Sequence, residues 1–149
     1  MPINARYDAT ENRFVREDTL VSSERTLRQR VTVAQLNAGF TLLPAVSGFI
    51  YSLIDATLIA IGGAATTGTS VNLQGTRSAG TVNLLVVAIA ALTQSAVVRA
   101  GAANAVVLAD GASFTPLDVN TPITIITVGS AMTVMTNLDV MIEYTLTPA

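Results

Sequence analysis

Charged residues cluster at the start of this 149-residue chain, and this distribution constrains its fold more than any other feature. Eleven of the eighteen charged residues lie within the first thirty positions, where six arginines are interleaved with five acids. The remaining 119 residues carry only seven charges, about 6%, whereas a typical protein surface carries roughly a quarter. We therefore predict a mixed-charge, extended arm at residues 1–30, either a disordered terminus or an arm that a neighbouring subunit orders, and a body at residues 31–149 whose surface is largely covered by other subunits.

The composition excludes most kinds of catalysis. The chain contains no Cys, His or Lys, so it lacks the usual general base near neutral pH, the thiolate and imidazole metal ligands and a Schiff-base amine. The net charge is −2, and no basic stripe is available to neutralise phosphates. We therefore predict that the protein is not an enzyme, has no catalytic residue, metal site or other cofactor, and does not bind nucleic acid.

The sequence also argues against a membrane partner. The longest uncharged apolar stretch considered for a span, residues 84–92, has nine residues, whereas a spanning helix needs about 20. The first residues have no apolar core of a secretory signal, and a cysteine-free chain suits assembly in a reducing cytoplasm. We therefore expect a protein that is assembled in the cytoplasm and is not bound to membranes.

Hydrophobic periodicity predicts an all-β body. Residues 137–146 alternate strictly between apolar and polar side chains, and residues 71–76 do so as well, which is typical of half-buried antiparallel strands. Residues 81–91 are apolar on both faces, which fits either a doubly buried strand or a core helix, and their β-branched residues favour the strand. Further strands are predicted at residues 40–43, 49–61, 94–99, 105–109, 112–117 and 123–128.

Local motifs mark where these strands stop. Thr32 and Gln35 fit a capping box that opens a single helical turn, which Gly39 ends. Asp110-Gly111 lies between two apolar runs and predicts a type I′ hairpin turn. Eight or so short strands with turn signals about every 8–15 residues indicate an antiparallel β-sandwich or jelly roll.

Three patterns superficially suggest a ligand site. The Gly-rich residues 61–70 lack the Lys and the following helix of a phosphate-binding loop. Asp118 and Asn120 have the spacing of a calcium loop without its other ligands, and turn capping explains them. Asp139 and Glu143 share a strand face with backbones about 13 Å apart, so we interpret them as solvated charges on an outer face.

The arginines are the residues that we expect at interfaces. Arg77 and Arg99 are the body's only cations, and each is expected to pair with an acid within the chain or across an interface, where arginine is enriched. The arm contributes the remaining candidates. The predicted interface residues are Arg6, Arg13, Phe14, Arg16, Arg25, Arg28, Arg30, Arg77 and Arg99.

Several short phrases of the body are distinctive as sequence strings, namely residues 32–39, 58–63, 75–78, 91–95, 98–104 and 108–114. Together they resemble small virion proteins of tailed bacteriophages. The resemblance covers most of the body and not the arm, and it includes no catalytic or ligand motif. It implies a head decoration (cement) protein with a β-sandwich or jelly-roll body, located on the capsid surface. Its implied partners are the major capsid protein and other copies of itself, as a homotrimer.

A second functional class remains open at this point. A receptor-binding or carbohydrate-binding module of a phage tail or fibre usually exposes aromatic platforms. The body has few aromatic residues with which to build one, namely Phe40, Phe49, Tyr51, Phe114 and Tyr144.

Overall fold

The computed structural model describes residues 5–8, 13–16 and 23–149. Antiparallel strands account for most of it, with 57% strand and 12% helix, which confirms the all-β prediction. The strands are β1 (Ala5–Asp8), β2 (Arg13–Arg16), β3 (Ser23–Thr32), β4 (Phe40–Leu43), β5 (Phe49–Ile61), β6 (Ala65–Thr66), β7 (Ser70–Arg77), β8 (Gly80–Ala88), β9 (Val97–Arg99), β10 (Ala105–Val107), β11 (Ile123–Val128), β12 (Thr133–Val134) and β13 (Asn137–Pro148). The helices are α1 (Val33–Ala38) and two 3-10 segments, Ile89–Ala91 and Ala109–Phe114.

Two sheets make up most of the body. One has four strands in the order β3-β13-β5-β9, and the other has five strands in the order β10-β8-β7-β11-β4. The short strands β6 and β12 pair with each other, as do β1 and β2. Strand β13 is the centre of the four-stranded sheet, because β3 pairs along one of its sides and β5 along the other.

Residues from both sheets contribute to one hydrophobic core. On β13, Leu138, Val140 and Ile142 are buried, while Met141 between them is exposed. This is the period-two alternation expected of a strand with one covered face. The five-stranded sheet contributes buried side chains to the same core cluster, among them Val71, Leu73, Leu85, Val87 and Ile125.

Most sequence-predicted elements are present. The spans 40–43, 49–61 and 123–128 match β4, β5 and β11, and the ambiguous residues 81–91 form strand β8 up to Ala88. Thr32 caps α1 as predicted: its hydroxyl accepts a hydrogen bond from the Gln35 amide, and the Gln35 side chain accepts from the Thr32 amide. The capping box was therefore a reliable signal.

The predicted hairpin at Asp110-Gly111 is wrong. Both residues have positive φ, 54° and 72°, as a type I′ turn requires, so the local conformation was predicted correctly. The flanking segments do not pair with each other, because β10 pairs with β8, and residues 109–114 form 3-10 turns interrupted at Asp110-Gly111 instead of a strand. Ser113, which is fully buried, fixes this segment by donating to the Leu84 carbonyl and accepting from the Leu108 amide.

The sequence predicts that the body begins after residue 30, but in the structure the sheet of the body already begins at Ser23. Strand β3 begins at Ser23 and pairs with β13 through all ten of its residues, so residues 23–30 belong to the sheet of the body. Val31 is completely buried there, and Leu27 packs against the core. Before β3, the described backbone consists of the β1–β2 hairpin.

Candidate interaction surfaces

The outer face of the four-stranded sheet carries most of the body's charge. In one row across the strands, Arg30 lies beside Asp139, followed by Ile59 and Val97. The next row contains Arg28, Met141, Thr57 and Arg99 in the same order. We call this surface the charged face; its charged residues are Arg28, Arg30, Asp55, Arg99, Asp139 and Glu143.

Arg30 and Asp139 form a two-pronged ion pair on the charged face. The Arg30 Nε donates to Asp139 Oδ1 at 2.6 Å, and Nη2 donates to Oδ2 at 2.9 Å. Hydrogen bonding from Arg30 lowers the pKa of Asp139, and the same bond raises the pKa of Arg30. The Asp139 side chain is only 12% exposed, so the prediction that it is a solvated charge is wrong; Glu143, two pleats away, is exposed as predicted.

A second ion pair joins Arg99 of β9 to Asp55 of β5. The Arg99 Nε and Nη2 both reach Asp55 Oδ2, at 2.7 and 2.5 Å, while Asp55 Oδ1 accepts from the Ala56 amide at 2.8 Å. The hydrogen bond to Asp55 and then the charge of Asp55 raise the pKa of Arg99. The sequence prediction that Arg99 pairs with an acid is therefore confirmed within the chain.

An apolar strip lies between these two ion pairs. Met141 is 38% exposed, Val97 is 67% exposed and Ile59 is half-buried. A shallow cavity of about 160 Å³ opens here, lined by Arg28, Thr57, Ile59, Asp139, Val140 and Met141. Apolar side chains ringed by charged ones are the usual arrangement of a protein interface, where the rim excludes water from the centre.

The outer face of the five-stranded sheet has a different chemistry. One row across it contains Val106, Val86, Asn72 and Ile126, and a second row contains Ala88, Ser70 and Val128. No charged residue lies in either row. We call the surface that these two rows form the uncharged face. Its centre is buried: Ser70 and Asn72 are 6% and 5% exposed, and the Ser70 hydroxyl donates to Asn72 Oδ1 at 2.7 Å.

Apolar side chains at the margins of the uncharged face remain open. Val106, on the edge strand β10, is 63% exposed, and Val128 is 39% exposed. Polar residues extend this surface without adding charge. Among them, the Gln74 side-chain amide donates to Asn83 Oδ1 at 2.9 Å. A second copy or another protein could therefore cover these exposed margins without removing an ionised group from water.

The predicted interface residues of β3 occupy different sides of the sheet. Arg28 and Arg30 lie on the charged face, whereas Arg25 is paired in register with Tyr144 on the core side. Burial raises the pKa of Tyr51, which contacts Tyr144 ring to ring, and the charge of Arg25 lowers it in part. The remaining predicted arm residues, Arg6, Arg13, Phe14 and Arg16, belong to the β1–β2 hairpin, and their side chains lie outside the described part of the chain.

Within the described part of the chain, Arg77 bonds to backbone carbonyls, whereas its predicted pairing with an acid across an interface stays a prediction. Its guanidinium donates to the backbone carbonyls of Thr115 at 2.9 Å and Pro116 at 3.2 Å, and no acid is among these partners. Arg77 is half-buried at the end of β7. It therefore tethers the loop of residues 115–116 to the five-stranded sheet.

The residues that resembled a calcium loop cap turns, as predicted. The Asp118 carboxylate accepts hydrogen bonds from the amides of Ser78 at 3.0 Å and Ala79 at 2.8 Å, in a turn where both residues have positive φ. Asn120 Oδ1 accepts from the Gly48 amide at 2.6 Å. Within residues 5–8, 13–16 and 23–149, no three acidic side chains come together as metal ligands.

Sequence reasoning did not find the partners of Arg30 and Arg99. Asp139 is 109 residues away from Arg30, and Asp55 is 44 residues away from Arg99. The only sequence signal was that these acids sit on the polar face of alternating strands, which does not identify the facing strand.

In the described part of the chain, no helix has both the length and the apolar character needed to span a bilayer. Comparisons with protein-family models, with curated proteins and with solved structures found no match to this chain.

Proposed function

We propose that this chain is a structural subunit of a tailed-bacteriophage particle, a head decoration protein whose body is a two-layer β-sandwich with an N-terminal arm. Its partners are the major capsid protein and other copies of the same chain, with the homotrimer as the oligomer implied by the sequence resemblance. It is assembled in the host cytoplasm and resides on the capsid surface.

The uncharged face is the observation that carries this proposal. Burying an ionised group is costly unless it is paired, and interface centres are correspondingly poor in charged residues. The rows through Asn72 and Ser70 contain no charge, and Val106 and Val128 are exposed at their margins. A surface of this composition suits permanent contact with another protein better than contact with water.

The alternative, a carbohydrate-binding tail or fibre module, receives less support. Sugar platforms require exposed aromatic rings, but Tyr51 and Tyr144 are buried, with an edge-to-face ring contact at 5.6 Å between centroids. Phe40 and Phe49 are half-buried, and Phe114 is 38% exposed. These five rings do not form an exposed platform.

The proposal predicts that the body and residues 1–22 contribute separately to attachment. Purified full-length chain is mixed with particles of its own phage that were assembled without it, and bound copies are quantified after sedimentation. We expect full-length chain to saturate the particles. We expect the chain of residues 23–149 to bind about tenfold more weakly or worse, since each 1.4 kcal/mol of lost contact is a factor of ten.

Two results would count against this proposal in different ways. Equal occupancy by the 23–149 chain would show that residues 1–22 are not an attachment device. Absence of full-length chain from the particles, together with binding to a glycan array, would favour the carbohydrate-binding alternative. The thermal unfolding of both chains serves as the control for folding.

A further inference from the structure

Strand β3 presents the longest free sheet edge in the described part of the chain. It has ten residues, and among the strands of the described residues only β13 pairs with it, along one of its two sides. The other edge strands of the two large sheets are shorter: β9 and β10 have three residues each and β4 has four. A long edge offers a row of backbone donors and acceptors to another strand, which makes it the natural place for strand addition.

Two hydrogen bonds indicate which residues of β3 direct their backbone groups toward that edge. The Thr32 amide donates to Gln35 Oε1 at 2.9 Å, and the Arg30 carbonyl accepts from the Gln29 side-chain amide at 3.3 Å. Both groups are therefore turned away from β13. Because backbone direction alternates along a strand, Glu24, Thr26 and Arg28 share this orientation.

We propose that the partner of this edge is β3 of a second copy, paired antiparallel across a two-fold axis at Leu27. In this register, Glu24 of each copy lies opposite Arg30 of the other, and Thr26 lies opposite Arg28. Arg30 uses Nε and Nη2 for Asp139, which leaves Nη1 available to donate to the incoming Glu24 carboxylate. Charges on an edge normally prevent pairing, but here their order makes the edge complementary to itself.

The side chains on the core side of β3 also favour the register centred at Leu27. Leu27 is half-buried and lies beside the fully buried Ile142 of β13. A two-fold axis at Leu27 places the two leucines directly opposite each other, so each covers the apolar surface that the other leaves exposed. Cross-strand apolar pairs of this kind stabilise antiparallel sheets.

The neighbouring registers are less favourable. A two-fold axis at Arg28 would place two arginines directly opposite each other, and like charges in that position are destabilising. An axis at Thr26 would place Arg25 opposite Leu27 on the core side. The register centred at Leu27 therefore combines opposite charges on one face with an apolar pair on the other.

The pairing links two bodies into one continuous sheet and does not depend on the identity of the particle. Because the contact is two-fold, it joins copies in pairs; between trimers, it would join one trimer to the next. Its test is thus independent of capsid attachment, and either proposal can fail without the other.

Cysteine cross-linking tests the register directly, because the chain has no cysteine of its own. Residues on the axis of a non-hydrogen-bonded pair have Cα atoms about 4.5 Å apart, within the range that a disulfide spans. We expect the Leu27→Cys variant to form mostly disulfide-linked dimers under mild oxidation at micromolar concentration. The matched Gln29→Cys variant should remain mostly monomeric on a non-reducing gel, because its two Cα atoms would be roughly 13 Å apart.

A backbone variant gives a second, independent readout. Proline in place of Thr26 removes an amide that faces the free edge and leaves the bonds to β13 in place. We expect Thr26→Pro to lower the native mass relative to Thr26→Val while both variants unfold cooperatively. Failure of Leu27→Cys to cross-link, equal cross-linking of Gln29→Cys, or an unchanged mass of a folded Thr26→Pro variant would each overturn the proposal.

Discussion

A chain that lacks residues 1–30 is expected not to fold, whereas a chain that lacks residues 1–22 is expected to unfold close to the temperature of the full-length protein. The difference between the two truncations is strand β3. Ser23–Thr32 pairs with β13 along its whole length, and Thr32 supplies the cap of α1. Without β3, no strand pairs along that side of β13, the strand at the centre of the sheet.

The size of this effect follows from what β3 covers. Burial of Val31 alone contributes about 1.5–3 kcal/mol, and the loss of β3 also exposes Leu138 and Ile142, which are fully buried in the intact sheet. A domain of this size is stable by about 5–15 kcal/mol in total, so the lost contacts account for a large part of that margin. A 31–149 chain would bind particles poorly because it does not fold. The 23–149 chain is therefore the truncation that tests attachment.

Circular dichroism and thermal unfolding of both truncations test this prediction. The expected result is a cooperative β-sheet transition for residues 23–149 and its absence for residues 31–149. A cooperative transition of the 31–149 chain near the full-length temperature would show that β3 is not an integral strand of the body.

Replacing Leu138 by alanine is expected to destabilise the protein by about 2–5 kcal/mol, the range for removing a buried leucine from a packed core. Leu138 is completely buried and lies between Val31 of β3 and Ala60 of β5. The surrounding sheet is paired on both sides at this point, so little collapse into the cavity is possible.

Met141 provides the matched control on the same strand. It lies on the charged face and is 38% exposed, so Met141→Ala should cost less than about 1 kcal/mol. Urea unfolding of the two variants measures the difference. Equal destabilisation would mean that the two faces of β13 are not the core side and the outer side that the structure assigns.

The strands were predictable where hydrophobic alternation and chain breakers agree. Residues 49–61 are bounded by Gly48 and Gly62 and form β5, and the strict alternation of residues 137–146 lies within β13. The helix α1 followed from its capping box, because that motif satisfies backbone amides locally and needs no tertiary contact.

Strand β3 was not predictable in the same way. Its outer positions are charged, including Arg28 and Arg30, and only Leu27 and Val31 mark its core side, so the segment has the composition of a solvated arm. What makes it a strand is its pairing with β13, more than a hundred residues later in the chain. The identities of the acids that pair with Arg30 and Arg99 escaped prediction for the same reason, because long-range register is not encoded in local pattern.

At Asp110-Gly111 the local conformation was predicted correctly, but the strand pairing was not. The dipeptide adopts the positive φ angles that its composition favours, but a turn conformation does not by itself decide which strands it connects. Here the preceding strand β10 pairs with β8, and the buried hydroxyl of Ser113 holds the following residues in a 3-10 segment.

The native mass of the purified full-length chain at low micromolar concentration tests the claim that this protein is an assembly subunit most directly. We expect a discrete oligomer: a dimer through β3, the trimer implied by the sequence resemblance, or a hexamer that combines both contacts. A single species with the mass of one chain would contradict an assembly role, because Val106 and Val128 at the margins of the uncharged face and the outer edge of β3 would then remain in contact with water.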